Sequence, residues 1–221
     1  MEIDPDSVEH ALRTTRSVRR RLDFSRPVEP AVIEACIDTA AQAPTGALAE
    51  NWRFLVITDP AKKAALAELY RRALGSYRKA LEEAARLAGE AEIPRPRAAQ
   101  QALADRLHEV PVLILVCALG RAPGPENAAR QVAFYASILP AAWSLMVALR
   151  ARGLGATWTT LHLVHEREAA ELLGIPEDVT QTVLLPVGYT RNAVLKPAQR
   201  KPAREITFWD DWGALRDGSG G

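Results

Sequence analysis

The histidines of the chain form no recognisable acid–base or nucleophilic set. His162 and His165 are three positions apart with Glu166 and Glu168 nearby, a pattern that fits a weak metal site or, as the alternative, a solvated turn. No histidine lies beside a cysteine nucleophile or a Gly-x-Ser-x-Gly turn, and no cysteine and histidine have the spacing of a zinc site. The sequence therefore indicates no catalytic side chain and favours no metal.

A basic cluster follows the first predicted helix and carries groups suited to an anion. It contains Arg16, Ser17 and Arg19. Guanidinium groups bind phosphate through paired hydrogen bonds, and the spacing predicts Arg16 and Arg19 on one side of a turn. A solvated basic face is the alternative. Arg200, followed by Lys201 in a proline-bounded loop, is a second basic element late in the chain.

Two polar segments could contact a flat heteroaromatic ring. Pro44 and Gly46 flank Thr45, which can expose both its hydroxyl and its backbone N–H, although an ordinary helix-ending turn is the alternative. Residues 157–160 are predicted to be extended and polar beside an apolar strand. No dinucleotide fingerprint or phosphate-binding loop is present. Together these segments indicate that a bound cofactor carries the reactivity while the protein supplies binding and electrostatics.

Helices alternate with a few apolar strands, which predicts an α+β or α/β class. Helices are expected at 9–15 with Asp6 or Ser7 as cap, 30–43, 60–88 interrupted near Gly75, 98–108, 126–152 kinked at Pro140, and 166–173. Strands are expected at 53–58, 112–118 and 182–188, with an extended stretch at 156–161 and a proline-bearing linker at 89–97. Cys36 and Cys117 have apolar neighbours, which predicts buried free thiols.

The composition is that of one ordinary packed domain. The chain has 221 residues, 48% hydrophobic and 25% charged, and a formal net charge of +1, which gives no electrostatic case for a nucleic acid or a membrane surface. The apolar stretch 132–149 contains Pro140 and falls short of the about 20 apolar residues of a membrane span, so a core or interface helix is expected. The acidic start is unlike a signal peptide, which predicts a cytoplasmic protein.

The order and spacing of several sequence blocks resemble the nitroreductase-like FMN-dependent oxidoreductase family. Arg16-Ser-Val-Arg19 is similar to that family's Arg-Ser-x-Arg, with Thr15 at the first position of its common Arg-Arg-Ser run. Ala43-Pro-Thr-Gly46, followed by Trp52-Arg-Phe-Leu-Val-Ile57, is similar to the loop that enters its first core strand. The resemblance runs from about residue 10 to 213, and its later blocks are Gly153-Leu-Gly155, Leu172-Leu-Gly-Ile-Pro176, Leu184-Leu-Pro-Val-Gly-Tyr189, Arg200-Lys-Pro and Trp212-Gly213.

This resemblance implies a fold and an assembly. The expected fold is an α+β sandwich with a central, mostly antiparallel sheet flanked by helices, in an interlocked homodimer with FMN sites at the interface. Residues 1–213 would form a single domain, in which 70–108 is a lid over the partner's site and 126–152 is much of the dimer core. Independently of the resemblance, the glycine-rich end of the chain predicts a disordered tail at 214–221.

The resemblance also implies a set of cofactor contacts. Arg16, Ser17 and Arg19 would contact the flavin phosphate or pyrimidine edge, and Arg200 would hold the phosphate. Pro44, Thr45 and Gly46 would line the ring, and a backbone N–H of Thr159 or Thr160 would bond flavin N5. Leu48 and Glu50 stand where the family commonly has Asn and Gln, so a neutral amide is lost at one position and an acid is introduced at the other.

The implied activity is a ping-pong cycle. NADH or NADPH gives a hydride to the flavin, and a small organic acceptor such as a nitroaromatic or a quinone then takes the electrons. Because Leu48 and Glu50 depart from the family pattern, a flavin-binding or flavin-storing protein with little turnover is the alternative. Dehalogenation or fragmentation of the flavin is a third possibility within the family.

Overall fold

A computed structural model describes residues 3–46, 50–88, 98–191 and 194–215. It divides into a large compact unit, Thr15–Val194, and a small unit that combines Met1–Thr14 with Leu195–Gly221. The predicted linker 89–97, Leu48 and the tail from residue 216 onward lie outside the described residues.

Within the described residues, the large unit is built on one sheet of four strands. They are β1 (Trp52–Ile57), β2 (Val112–Leu119), β3 (Leu154–Ala156) and β4 (Val179–Tyr189), and their order in the sheet is β1-β2-β4-β3. Every paired strand is antiparallel, as expected. β2 is apolar, and both β2 and β4 are buried along nearly their whole length, which is typical of strands covered on both faces.

In the part of the chain that the structure describes, seven α-helices surround this sheet or belong to the small unit. They are α1 (Pro5–Thr14), α2 (Pro30–Ala40), α3 (Pro60–Ala88), α4 (Ala98–Arg106), α5 (Ala128–Ala136), α6 (Leu139–Ala151) and α7 (Glu166–Leu173). Helix α2 packs on α6, and α3 packs on α4, α7 and a short 3-10 helix at Leu161–His165. The core between α2, α6 and the sheet includes Ile33, Ile114 and Leu145.

The two long helical predictions were each wrong in one respect. Helix α3 is continuous through Gly75, because buried neighbours such as Ala73 and Leu74 hold this turn of the helix against the core. The predicted helix 126–152 is divided at Ser137–Ile138 into α5 and α6. Pro140, which lacks a backbone N–H, lies in the first turn of α6 and starts a new helix there.

The first helix begins earlier than the sequence pattern indicates. Asp4, rather than Asp6 or Ser7, is the capping residue, since its carboxylate accepts hydrogen bonds from the amides of Asp6 and Ser7 at 3.2 Å each. Pro5 follows the cap at the first helical position, where its missing N–H costs nothing. The bounds predicted for α7 are confirmed.

Both cysteines are buried and free, as predicted. Burial raises the pKa of the Cys117 thiol to about 12, and the negative charge of Glu166 adds to this. Neither side chain therefore has the character of a nucleophile at neutral pH.

The stretch Pro125–Ala151 is long and apolar enough, by length and composition alone, to cross a membrane. Its second half, α6, buries six residues including Leu145 and Leu149 against the sheet, as a core helix does. None of the residues of α5 is buried. A core helix passes the same test of length and composition, so this stretch is weak evidence for a membrane span.

Candidate functional site

The basic segment Arg16–Arg19 lies alongside the short strand β3. Ser17 forms an isolated parallel bridge with Ala156, and the Val18 amide donates to the Ala156 carbonyl at 2.9 Å. The segment is therefore bound to the edge of β3 and does not form the predicted turn. Its side chains differ in burial: Val18 is buried, Ser17 is exposed, and Arg16 and Arg19 are half-buried.

The segment is also held by a buried hydroxyl. Thr157 is fully buried, and its Oγ1 donates to the Val18 carbonyl at 2.6 Å. This bond joins two segments that the sequence analysis selected separately and that are 139 positions apart in the chain. Thr157 itself therefore serves structure, and its neighbours provide the exposed surface of the site.

Gly155 permits the close approach of these segments. A Cβ at this position would lie 2.8 Å from Thr190 Cγ2 and 3.0 Å from Val18 Cβ, distances that real Cβ atoms rarely show. Gly155 thus forms part of β3 and at the same time leaves room for Val18.

Thr159 and Thr160 differ in the state of their backbone amides. Thr159 exchanges two backbone bonds with Leu184, since its amide donates to the Leu184 carbonyl at 3.1 Å and its carbonyl accepts from the Leu184 amide at 2.9 Å. The predicted extended stretch beside β4 is therefore present, but this amide already has an acceptor. The exposed Thr160 has no such bond from its amide within the described residues.

The Thr159 side chain meets a residue that the sequence analysis did not select. Its Oγ1 donates to the phenol oxygen of Tyr70 on α3 at 3.3 Å. Burial raises the pKa of Tyr70, while the Thr159 hydrogen bond and the positive charge of Arg19 lower it. The structure thus brings Arg19, Thr159 and Tyr70 together. The helical pattern around Tyr70 predicts burial but contains no signal of a polar partner 89 positions away.

Arg19 has an unused donor in this cluster. Its Nε is buried and has no acceptor among the residues that the structure describes. An N–H group in this condition costs free energy comparable to a lost hydrogen bond. Such a donor is typical of a position where a ligand supplies the acceptor.

The Pro44–Gly46 loop is fixed on the junction of α5 and α6. The Gly46 amide donates to Ser137 Oγ at 3.1 Å, and that hydroxyl donates to the Ala133 carbonyl at 3.0 Å. Pro44 is exposed and Thr45 is half-buried. Ser137 is a second residue that the sequence analysis missed as a site residue, since a serine within an apolar helix gives no local sign of such a contact.

The three remaining selected residues are Glu50, Arg200 and Leu48. Glu50 is exposed, and its carbonyl accepts from the Arg53 guanidinium at 3.1 Å. Arg200 belongs to the small unit, where its side chain donates to the Gln199 carbonyl at 3.3 Å. Leu48 is outside the described residues.

The solvated turn predicted as the alternative for His162 and His165 is wrong for His162. This side chain is fully buried, and neither ring nitrogen has a partner among the described residues. Burial lowers its pKa to about 4, with the charge of Glu166 opposing the shift. Within the described ranges no three His, Cys, Asp or Glu side chains are grouped so that they could hold a metal ion.

A cavity of about 480 Å³ lies elsewhere, between α7 and the start of β4. Arg121, Glu166 and Gln181 are among the residues that line it, and none of the predicted cofactor contacts does. Its charged rim is largely paired, for example by the 2.9 Å ion pair of Arg121 with Glu166.

Comparison with known proteins extends these observations. The chain is 31% identical to iodotyrosine deiodinase 1 of Rattus norvegicus over 196 residues, which cover 86% of this chain and 66% of the relative, slightly under two thirds of its length. An iodotyrosine deiodinase solved with FMN and 3-iodo-L-tyrosine is similar over 93% of this chain and 99% of its own, at 22% identity and a TM-score of 0.66. A variant of the FMN- and NADPH-dependent nitroreductase NfnB of Sphigopyxis sp. strain HMH is similar over 92% and 99%, at 22% identity and a TM-score of 0.64.

The two solved structures support the fold alone, since their identities to this chain are low. The family is shown by a match that spans most of the chain: the model of the nitroreductase family fits residues 12–189. That range contains the antiparallel sheet, the Arg16–Arg19 segment and the Thr157–Thr160 stretch. The chain belongs to the nitroreductase family.

Proposed function

We propose that the chain is an FMN-dependent oxidoreductase that transfers electrons from NADH or NADPH to a small organic acceptor such as a nitroaromatic or a quinone. The residues that would hold FMN are Arg16, Ser17, Arg19, Pro44, Thr45, Gly46, Thr159 and Thr160, together with Leu48, Glu50 and Arg200. The observation that carries the proposal is the buried Nε of Arg19, which lacks an acceptor at the meeting point of two of these segments.

The chemistry of the described cluster fits an anionic ligand rich in acceptors. Arg19 offers an unused N–H, and the amide of the exposed Thr160 makes no bond within the described residues. A phosphate and the carbonyl groups of a flavin ring are acceptors of the type that such donors bind. The absence of an acid–base set in the sequence agrees with a cofactor that carries the reaction.

FMN bound there would supply the redox chemistry, taking a hydride from the nicotinamide and passing two electrons to the acceptor. The polypeptide would supply position and electrostatics. Arg16 and Arg19 would balance the negative charge of the phosphate or pyrimidine edge, and the amide of Thr160 would donate to N5. The Val18–Thr157 hydrogen bond would hold both segments at a fixed separation.

A homodimer is part of this proposal. Helix α5 has no buried residue although it carries Val132, Phe134 and Tyr135, and Val132 is 69% exposed. Trp143 on α6 is also exposed. An apolar helix surface of this kind is characteristic of an interface between subunits.

We further propose that residues 1–213 act as one domain in a cytoplasmic protein, with 70–108 covering the partner's site.

Reductive dehalogenation is a second candidate function, and the relatives favour it. The curated relative with 31% identity is named an iodotyrosine deiodinase, and one of the similar solved structures holds FMN with 3-iodo-L-tyrosine. A halogenated phenol would then take the place of the nitroaromatic or quinone as electron acceptor.

Leu48 and Glu50, which stand where the family commonly has Asn and Gln, motivate the alternative of a flavin-storing protein with little turnover. A carboxylate near the pyrimidine edge would repel negative charge on the reduced ring. Changing Leu48→Asn and Glu50→Gln together should raise turnover sharply if these side chains limit it. Unchanged turnover in the double variant would rule out this explanation.

The test of the proposed function is a substrate panel on the purified, FMN-loaded protein. Oxidation of NADH and NADPH is followed with menadione, with a nitrofuran and with 3-iodo-L-tyrosine as acceptors. We expect oxidation of at least one nicotinamide that depends on an acceptor from this panel. Bound FMN with no turnover in any combination would favour storage.

A further inference from the structure

Tyr70 is a buried tyrosine whose hydroxyl lies in the candidate FMN site. It belongs to α3, the helix that leads into the proposed lid, and it is 2% exposed. Its neighbours on the same face, such as Leu66 and Leu74, are ordinary core residues, so packing explains the ring. Packing does not explain the phenol oxygen, which contacts Thr159 Oγ1 at 3.3 Å.

The hydroxyl groups of Tyr70 and Thr159 carry one hydrogen each, and only one of these two hydrogens is used in the hydrogen bond between them. Thr159 Oγ1 donates to the Tyr70 oxygen and is approached by the amide of Leu161 at 3.5 Å. The phenolic hydrogen of Tyr70 then has no acceptor within the described residues. Each hydroxyl carries one hydrogen, so reversing the bond between the two would only move the surplus hydrogen to Thr159.

Arg19 adds a second surplus donor beside the pair. Its Nε is buried without an acceptor, and its charge lies close enough to Tyr70 to act on the phenol. Two buried donors without acceptors cost free energy unless a ligand accepts their hydrogen bonds. Such a ligand must carry acceptor atoms, as the carbonyl oxygens or phosphate of a flavin do.

We propose that Tyr70 is a positioning residue of the FMN site. Its phenol oxygen holds the Thr159 side chain in place through their hydrogen bond. The hydroxyl pair thereby presents one hydrogen, beside Arg19, to an acceptor oxygen of the bound cofactor. This inference rests on the proposed function. It gives α3 a part in cofactor binding from within the large unit, in addition to its proposed place in the lid.

The test measures FMN affinity of the apoprotein for Tyr70→Phe, which removes only the phenol oxygen. Tyr189→Phe at the end of β4, which belongs to neither the proposed FMN contacts nor the proposed lid, is the matched control. FMN is titrated into each protein and binding is followed by quenching of flavin fluorescence, and the thermal unfolding of each apoprotein is recorded beside it. We expect the Kd for FMN to rise about 3- to 10-fold in Tyr70→Phe and to change by less than about twofold in the control.

A double-mutant cycle separates positioning from a general loss of stability. Thr159→Val removes the same hydrogen bond from the other side, so the effects of Tyr70→Phe and Thr159→Val on the Kd should be strongly non-additive. If Tyr70→Phe proves unable to fold, Thr159→Ser serves as the second test because serine keeps the hydroxyl. Thr159→Ser should retain the FMN affinity that Thr159→Val loses. A serine variant that binds FMN as weakly as the valine variant overturns the inference.

The outcomes for the inference and for the proposed function are distinct. A wild-type apoprotein that takes up no FMN overturns both. Wild-type binding with an unchanged Kd in Tyr70→Phe, or fully additive effects in the cycle, overturns the role of Tyr70 and leaves the proposed function intact.

Discussion

Thr157 Oγ1 donates to the carbonyl of Val18 at 2.6 Å, across 139 positions of sequence and inside a fully buried environment. This bond joins the Arg16–Arg19 segment to the Thr157–Thr160 stretch, the two parts of the chain from which the proposed cofactor contacts mainly come. The candidate site is therefore organised by a structural hydroxyl that itself is inaccessible to a ligand.

Replacing Thr157 should destabilise the large unit. Thr157→Val keeps the shape of the side chain but leaves the Val18 carbonyl buried without its donor, which costs about 1–3 kcal/mol of unfolding free energy. Thr157→Ser keeps the hydroxyl and is the control, expected to retain most of that free energy. Chemical denaturation of the three proteins checks this, and a valine variant as stable as the wild type would show that the bond contributes nothing.

Gly155 should be intolerant of a methyl group. Gly155→Ala places a Cβ 2.8 Å from Thr190 Cγ2 and 3.0 Å from Val18 Cβ, so the two segments must separate. We expect a loss of about 1–3 kcal/mol in stability and a weaker affinity for FMN.

Gly75→Ala is the matched control for this substitution. Gly75 is exposed within α3, and a Cβ there would meet nothing within 4 Å. Because alanine is the better helix former, this variant should gain about 0.5–1 kcal/mol. Equal effects of the two substitutions on denaturation midpoints would contradict the close approach described at Gly155.

Ser137 should affect cofactor affinity more than stability. Ser137→Ala removes the acceptor of the Gly46 amide and releases the Pro44–Gly46 loop from the junction of α5 and α6. A rise of about 2- to 10-fold in the Kd for FMN is expected, the equivalent of one net hydrogen bond. Ser25→Ala, at an exposed position whose hydroxyl donates to Asp23, is the control. Indistinguishable FMN titrations for the two variants would remove Ser137 from the site.

The sequence alone predicts one part of the fold and of the candidate site. Apolar runs and turn residues predicted the core strands and α7, because such patterns are local, and the family blocks indicated Arg16, Arg19 and Thr159. The contacts of Tyr70 with Thr159 and of Ser137 with Gly46 span 89 and 91 positions. Hydrophobic periodicity predicts which side chains are buried, but only the packed chain determines which polar atom a buried hydroxyl meets.

His162 should make the fold sensitive to acid. Burial lowers its folded-state pKa to about 4 from the ordinary 6.5, so between these values the unfolded chain binds a proton that the folded chain does not. By linkage, this group causes stability to fall as the pH is lowered from about 6.5 to about 4, by roughly 3 kcal/mol in all.

Removing the imidazole should weaken that dependence. His162→Leu should flatten the loss of stability between pH 7 and pH ~4.5, as measured by urea denaturation at each pH. His108→Gln, at a largely exposed side chain, is the control and should retain the wild-type profile. A leucine variant with the same acid sensitivity as the wild type would show that His162 is not its source.

The central claim is that this chain binds FMN through the cluster around Arg19. The most direct measurement is the visible absorbance of the purified protein, followed by FMN titration of the apoprotein beside an Arg19→Met variant. The account predicts an oxidised-flavin spectrum with one FMN per chain and a clear loss of affinity in the variant. A colourless wild-type protein that takes up no added FMN at micromolar concentration, or a variant that binds FMN as tightly as the wild type, would contradict it.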